Sequence, residues 1–294
     1  MRTTLEASTR RGPLSPGAPS RGAIEEFTGA GGRRLCYRVV APPADPRSHI
    51  LYLHGIESHG GWFLPAARRL AARGCTTWLV DRRGSGLNRD EAPGDAESAD
   101  VLLEDVARFR DHVGDPPLTL VGLSWGGKLA TAAAIDRPRN VESLVLVTPG
   151  LRVKVRPPAR DLVRIAVDRL FGQGRARVRV PIDDEMFSAD AGVLDFIRGD
   201  VARLRDVTSR LLLAGSALDR RVARGIASLP VPVLLCLAED DPIVDEPALL
   251  RLLSRLPAGS LRVRRFPGRH SIQLESPDAL THAVAAFLDP TEDA

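Results

Sequence analysis

The 294-residue chain is poor in several things, and each scarcity excludes a class of protein. It has three cysteines, Cys36, Cys75 and Cys236, far apart and without CxxC spacing. That excludes a disulfide framework and a cysteine-built zinc site. Each lies in or beside an apolar run, so buried, inert thiols in a reducing cytoplasm are expected. Aromatic residues are 4% of the chain, which leaves little to stack nucleic-acid bases. Lysine is almost missing: Lys128 and Lys154 are the two exceptions among 41 basic residues, set against 37 acidic ones. The resulting net charge of +4 is mild, and no nucleic-acid partner is expected. No apolar run approaches the length of a transmembrane helix. Residues 1–22 contain Arg, Ser, Pro and Gly but no apolar core, so they read as a disordered tail and not a secretory signal.

What remains is a globular chain: 44% hydrophobic and 27% charged, long enough for one large domain with an appendage. EEFT and RRLCYRVV read as strands around a turn at Gly29–Gly32. Further strands are expected at His49–Gly55, Thr76–Asp81, Leu118–Ser124 and Val141–Gly150. Helices are expected at Trp62–Gly74, between Ser98 and Gly114, and from Trp125 to about Asp136. Such alternation predicts an α/β fold, a mostly parallel sheet covered on both faces over residues 23–150. From Leu151 to Leu229 the alternation stops, leaving helical pieces and no convincing buried strand. Within it, Leu162, Val163, Ala166, Val167 and Leu170 form an apolar helix stripe that should cover something apolar. Alternation resumes over 230–294, with strands at Val231–Glu239 and Ser260–Phe266. Helices follow at Glu246–Leu256 and Pro277–Phe287. A helical cap over 151–229 therefore interrupts one sheet.

Gly122-Leu123-Ser124-Trp125-Gly126 is G-x-S-x-G between an apolar strand and a helix. A tight turn there exposes the Ser124 hydroxyl and aims a helix N-terminus at developing negative charge. A serine nucleophile needs a base, and the base needs an acid to orient it. Among six histidines, His270 sits in a loop just after a strand, at the sheet edge where open α/β folds bind ligands. The acid falls in Glu239-Asp240-Asp241, with Asp241 preferred over its neighbours. An oxyanion hole takes two backbone N–H groups, expected from Trp125 and from Ile56 in the His54-Gly55-Ile56 turn.

These segments together resemble the α/β-hydrolase superfamily. HGIESHGGW, DRRGSGLN, GLSWGGKLA, LAEDDPIVD and FPGRHSIQLE are similar to the motifs of its monoacylglycerol lipase and lysophospholipase-like (serine aminopeptidase S33-type) branch, in the same order. The resemblance implies the chain order Ser124, Asp241, His270 for the triad and a helical cap after the sixth core strand. It also implies substrate contacts from His54, Gly55 and His59, and no metal or organic cofactor. Trp125 after the serine is closer to proline iminopeptidases, yet their HGGPG is absent.

The expected function is cleavage of a small-molecule carboxylic ester through an acyl-enzyme. An aminopeptidase or amidase with the same triad is the alternative, and it needs cap carboxylates such as Asp183, Asp184 and Glu185. A binding protein with a slow vestigial site is a second. The segment 152–179 carries eight Arg and one Lys, which suits at most transient contact with a membrane surface.

Overall fold

The structure, a computed structural model, describes residues 22–89 and 92–289. The tail expected over 1–22 lies outside the described residues apart from Gly22. In chain order the strands are β1 (Ala23–Thr28), β2 (Arg34–Val40), β3 (Ser48–Leu53), β4 (Cys75–Val80), β5 (Leu118–Leu123), β6 (Val141–Val147), β7 (Arg177–Arg179), β8 (Asp206–Thr208), β9 (Val233–Ala238) and β10 (Leu261–Phe266). All but β7 and β8 form one sheet, ordered β1-β2-β4-β3-β5-β6-β9-β10. Strand β2 runs antiparallel to both β1 and β4, and every other pairing is parallel. This is the mostly parallel sheet expected from the alternation, in the arrangement that the resemblance to α/β-hydrolases implies. Strands β4, β5 and β9 are buried along their whole length, which is why they read as unbroken apolar runs. Edge strand β10 instead exposes Arg262, Arg264 and Arg265, charges that discourage pairing with another chain.

Helices α1 (Leu64–Ala72), α2 (Ala99–His112) and α3 (Trp125–Asp136) follow the early strands. Helices α4 (Ala159–Phe171), α5 (Asp184–Phe187), α6 (Ala191–Gly199) and α7 (Ser209–Gly225) lie between β6 and β9. Helices α8 (Glu246–Leu253), α9 (Ile272–Glu275) and α10 (Pro277–Leu288) complete the chain. Ala66, Leu70, Leu280 and Val284 pack α1 and α10 on one face of the sheet. Leu102, Phe109, Leu129, Leu218 and Leu249 pack α2, α3, α7 and α8 on the other.

Three expectations need correction. The segment 151–229 is not purely helical. Strands β7 and β8 pair antiparallel within it, with Val178 opposite Val207 and both buried. The alternation of Arg and Val in Arg177–Val180 carries that signal, but three residues are too few to separate from a helical face. The stripe on α4 covers nothing among the described residues: Leu162, Val163, Val167 and Leu170 are 52%, 63%, 51% and 72% exposed, and the helix buries none of its residues. Asp168 ties α4 to Ala176 N–H and to the Ser209 hydroxyl, so the helix is held by its polar side. Finally, Cys36 is only half-buried, whereas Cys75 and Cys236 are buried as expected.

Candidate active site

The parallel register brings five strand ends level. Leu53 pairs with Gly122, Leu123 with Val147, Val147 with Cys236 and Ala238 with Phe266. The loops after β3, β5, β6, β9 and β10 therefore meet at the carboxyl edge of the sheet, and the loop after β4 joins them because Val80 pairs with Leu53.

Ser124 stands between β5 and α3 with φ 50° and ψ −120°, a strained conformation for a side chain of this kind. Its backbone is pinned on both sides: Ser124 N–H donates to Val147 O at 3.0 Å, and its carbonyl accepts from Gly127 at 2.9 Å and Gly150 at 2.8 Å. The turn is so tight that a Cβ on Gly126 would lie 2.1 Å from Leu53 O. That explains the glycine two residues after the serine.

His270 and Asp241 converge on Ser124 from separate loops. His270 Nε2 is 2.8 Å from Ser124 Oγ, and His270 Nδ1 is 2.9 Å from Asp241 Oδ2. Asp241 Oδ1 accepts from Ile243 N–H at 2.8 Å and Val244 N–H at 3.1 Å. Burial opposes ionisation of Asp241, but His270 and these two N–H groups outweigh it and hold the carboxyl below its ordinary range. A charged Asp241 fixes the proton on His270 Nδ1 and leaves Nε2 to accept from the serine. Glu239 and Asp240 are exposed. Thr148, buried and at φ 39°, donates its hydroxyl to His270 O at 2.9 Å; nothing in its local sequence singles it out.

Trp125 opens α3, so its N–H has no acceptor within the helix. The loop after β3 lies against the serine: a Cβ on Gly55 would come 3.4 Å from Ser124 Cβ. Gly55, Ile56, Ser124 and His270 line one small cavity together with Glu57, Ser58, Trp62, Phe187 and Gln273. Its free volume is about 10 Å³, the room of one water, and Ser124 itself is half-buried. The side chain of Gln273 is fully buried there with neither amide atom hydrogen-bonded. A larger groove of about 400 Å³ opens between α2, α3 and α7, but its charges pair with one another, Arg221 with Asp100 and Asp136.

His54 and His59 are not among the residues lining the cavity beside Ser124. His54 is buried, with Nδ1 2.8 Å from Gly55 O and Nε2 2.9 Å from Arg82 N–H. Burial, helped by the Arg82 charge, holds its imidazole well below the ordinary range, so it is neutral and braces the loop. His59 instead reaches the cap: Asp200 Oδ2 lies 3.0 Å from His59 Nε2 and accepts from Trp62 Nε1 at 2.6 Å. Burial opposes ionisation of Asp200, yet these bonds and the Ala202 N–H hold its carboxyl at about 2. A second latch joins buried Arg203 and Glu57 to half-buried Asp184. Arg203 donates to Glu57 Oε2 at 2.7 Å and to Asp184 Oδ1 at 2.6 Å. Burial drives the Glu57 carboxyl up to about 7 in spite of Arg203. Arg203 sits in a loop without periodicity, so the sequence offers no signal for it. Among the described residues no three His, Cys, Asp or Glu side chains gather as metal ligands.

A sequence profile described as "Serine aminopeptidase, S33" matches residues 44–277. The monoacylglycerol lipase of Mycolicibacterium smegmatis is 25% identical over 263 residues, 86% of this chain and 91% of that protein. The human monoglyceride lipase is 24% identical over 289 residues, 95% and 92% of the two chains. Among solved structures, a Paleococcus ferrophilus monoacylglycerol lipase superposes with a TM-score of 0.76 at 19% identity, covering 86% of this chain and 98% of that one. A soluble variant of the Saccharomyces cerevisiae monoglyceride lipase gives 0.79 at 15%, covering 95% and 98%. With the profile spanning most of the chain on an α/β-hydrolase core, this protein belongs to the serine aminopeptidase S33 family of α/β-hydrolases.

Proposed function

We propose that the chain hydrolyses carboxylic esters of the monoacylglycerol or small acyl ester type through an acyl-enzyme on Ser124. The observation that carries this reading is the unbroken hydrogen-bonded line from Asp241 through His270 to Ser124 Oγ. Ser124 Oγ attacks the carbonyl carbon as its proton passes to His270 Nε2. The N–H groups of Ile56 and Trp125 hold the oxyanion, and collapse of the tetrahedral species expels the alcohol, which takes the proton from His270. Water then gives a proton to His270 and attacks the acyl carbon, returning Ser124 and releasing the acid. Similarity to lipases acting on monoglycerides supports the substrate class.

The aminopeptidase alternative loses ground on the cap carboxylates. Asp184 is bridged by Arg198, Arg203 and Arg205, and Glu185 by Arg198, so neither is left to bind a substrate ammonium, while Asp183 is exposed and does not line the cavity beside Ser124. The cavity beside Ser124 has room for about one water, so an acyl chain is accommodated there by displacement of Ile182 and Phe187, the cap residues that line it. The exposed apolar face of α4, flanked by Arg160, Arg164 and Arg169, suits brief contact with a lipid surface from which a monoester would be drawn. No helix among the described residues is long and apolar enough to cross a membrane. Turnover of p-nitrophenyl esters, monoacylglycerols and aminoacyl amides, side by side with Ser124→Ala, tests the proposal. Ester turnover that vanishes in the variant supports it, and amide turnover exceeding ester turnover overturns it.

A further inference from the structure

Two arginines follow Asp81 after β4, and they are held in opposite ways. Arg83 is ion-paired, with Nε and Nη2 on Asp105 and Nη1 on Glu97. Arg82 is buried, 6% exposed, and among the described residues no carboxylate pairs with its guanidinium. Its partners are neutral: Ile56 O at 3.1 Å, Ser85 Oγ at 2.9 Å and Gly55 O at a longer 3.4 Å. Its Nε has no acceptor among the described residues. Its Cζ lies 4.7 Å from the centroid of the Trp125 ring. A buried, unpaired cation is costly, so its placement calls for a reason beyond packing.

Two of the residues Arg82 touches, Ile56 and Trp125, are the ones proposed above to supply the oxyanion-hole N–H groups. Gly55 O and Ile56 N–H belong to one trans peptide and point in opposite directions. Arg82 Nη1 and His54 Nδ1 hold that carbonyl from behind, which turns the Ile56 N–H away from them and polarises it. On the other side the guanidinium packs on the ring of Trp125. Burial pushes Arg82 down to about 9, which leaves it protonated at neutral pH.

We infer that Arg82 is a positioning residue for the oxyanion hole, one that fixes the Gly55–Ile56 peptide and directs a positive charge engaged in no direct ion pair toward the tetrahedral oxyanion. The inference rests on Ser124 being the nucleophile. Acylation and deacylation both pass through an oxyanion, so kcat falls whichever step is slower.

The test uses the full chain with p-nitrophenyl butanoate, and active sites are counted by fluorophosphonate titration so that misfolded protein does not enter kcat. Arg82→Met should lower kcat per titrated site by about tenfold to a hundredfold, less than or comparable to losing a direct oxyanion donor, while KM stays within about threefold. Inhibition by an aliphatic trifluoromethyl ketone, which forms an oxyanion on the serine, should weaken by a similar factor. Arg82→Lys keeps the charge and should recover part of both. Normal kcat per site and normal ketone inhibition in Arg82→Met overturn the inference, as does an equal loss in Met and Lys variants confined to a lower titratable fraction. If the fluorophosphonate labels a residue other than Ser124 in the wild-type protein, the nucleophile assignment itself fails, and the role of Arg82 fails with it.

Discussion

His270 Nε2 stands 2.8 Å from Ser124 Oγ across 146 positions of sequence. Two loops make that approach, one after β5 and one after β10, separated in the sheet by β6 and β9. Thr148, at the end of β6, spans the gap by donating to the His270 carbonyl. The serine and its base are thus fixed by the sheet and not by each other, and substitution at either should spare the fold.

The three adjacent carboxylates after β9 are separable. Asp241→Asn should lower kcat by about ten-thousandfold, because the amide favours the wrong imidazole tautomer. Glu239→Gln and Asp240→Asn, both at exposed positions, should stay within about twofold of wild type. Steady-state kinetics of the three variants decide the matter. A crippled Asp240→Asn beside a near-normal Asp241→Asn shifts the acid by one residue.

The Glu57 carboxyl gives a pH signature. Its value of about 7 in the folded protein lies above the ordinary 4.5, so the folded state binds the proton more tightly. Stability attributable to this group is therefore present at low pH and lost as pH rises from about 4.5 through 7. Denaturation midpoints of wild type and Glu57→Gln, compared from pH 5 to 8, should drift apart, with the wild type losing ground toward pH 8. A difference independent of pH in that window rules the shift out.

The Asp200 latch predicts a change of access. Asp200→Ala removes the acceptor shared by His59 and Trp62, and charge-assisted bonds of this kind are worth about 1.5–3 kcal/mol each. The melting temperature should fall by several degrees. Fluorophosphonate labelling of Ser124 should accelerate more for a bulky probe than for a small one. Equal acceleration for both probes would mean that the cap does not limit access.

Helix α4 predicts an uncoupling of stability from surface binding. Val167→Asp and Leu170→Glu should change stability by no more than about 0.5 kcal/mol, since both positions face solvent. They should reduce co-sedimentation with vesicles rich in anionic phospholipid. Ala166→Leu, also exposed, should leave the acyl-chain preference unchanged. Shortened acyl preference in that variant would place α4 over the substrate after all.

Sequence pattern marks the candidate site where local geometry and chemistry coincide. Gly122, Ser124 and Gly126 sit within one turn whose geometry demands them, and His270 follows a strand that ends at the same edge. It failed where the cause is tertiary. Leu162, Val163, Val167 and Leu170 have helical spacing, and spacing alone does not say whether a partner exists. His59 belongs to a motif that reads as a substrate contact, yet Asp200, far along the chain, claims it. Arg82 and Arg83 look equivalent in DRRG, and the positions of Asp105 and Glu97 are what give Arg83 its ion pairs.

The most direct measurement is peptide mapping after fluorophosphonate labelling, with p-nitrophenyl butanoate turnover measured on the same samples. Wild-type protein should carry the phosphonyl group on Ser124 and lose activity in proportion to labelling. Ser124→Ala should take no label and lose on the order of a million-fold in kcat while its melting temperature stays close to wild type. An active Ser124→Ala protein, or a label on any other residue, would contradict the assignment of Ser124 as the nucleophile.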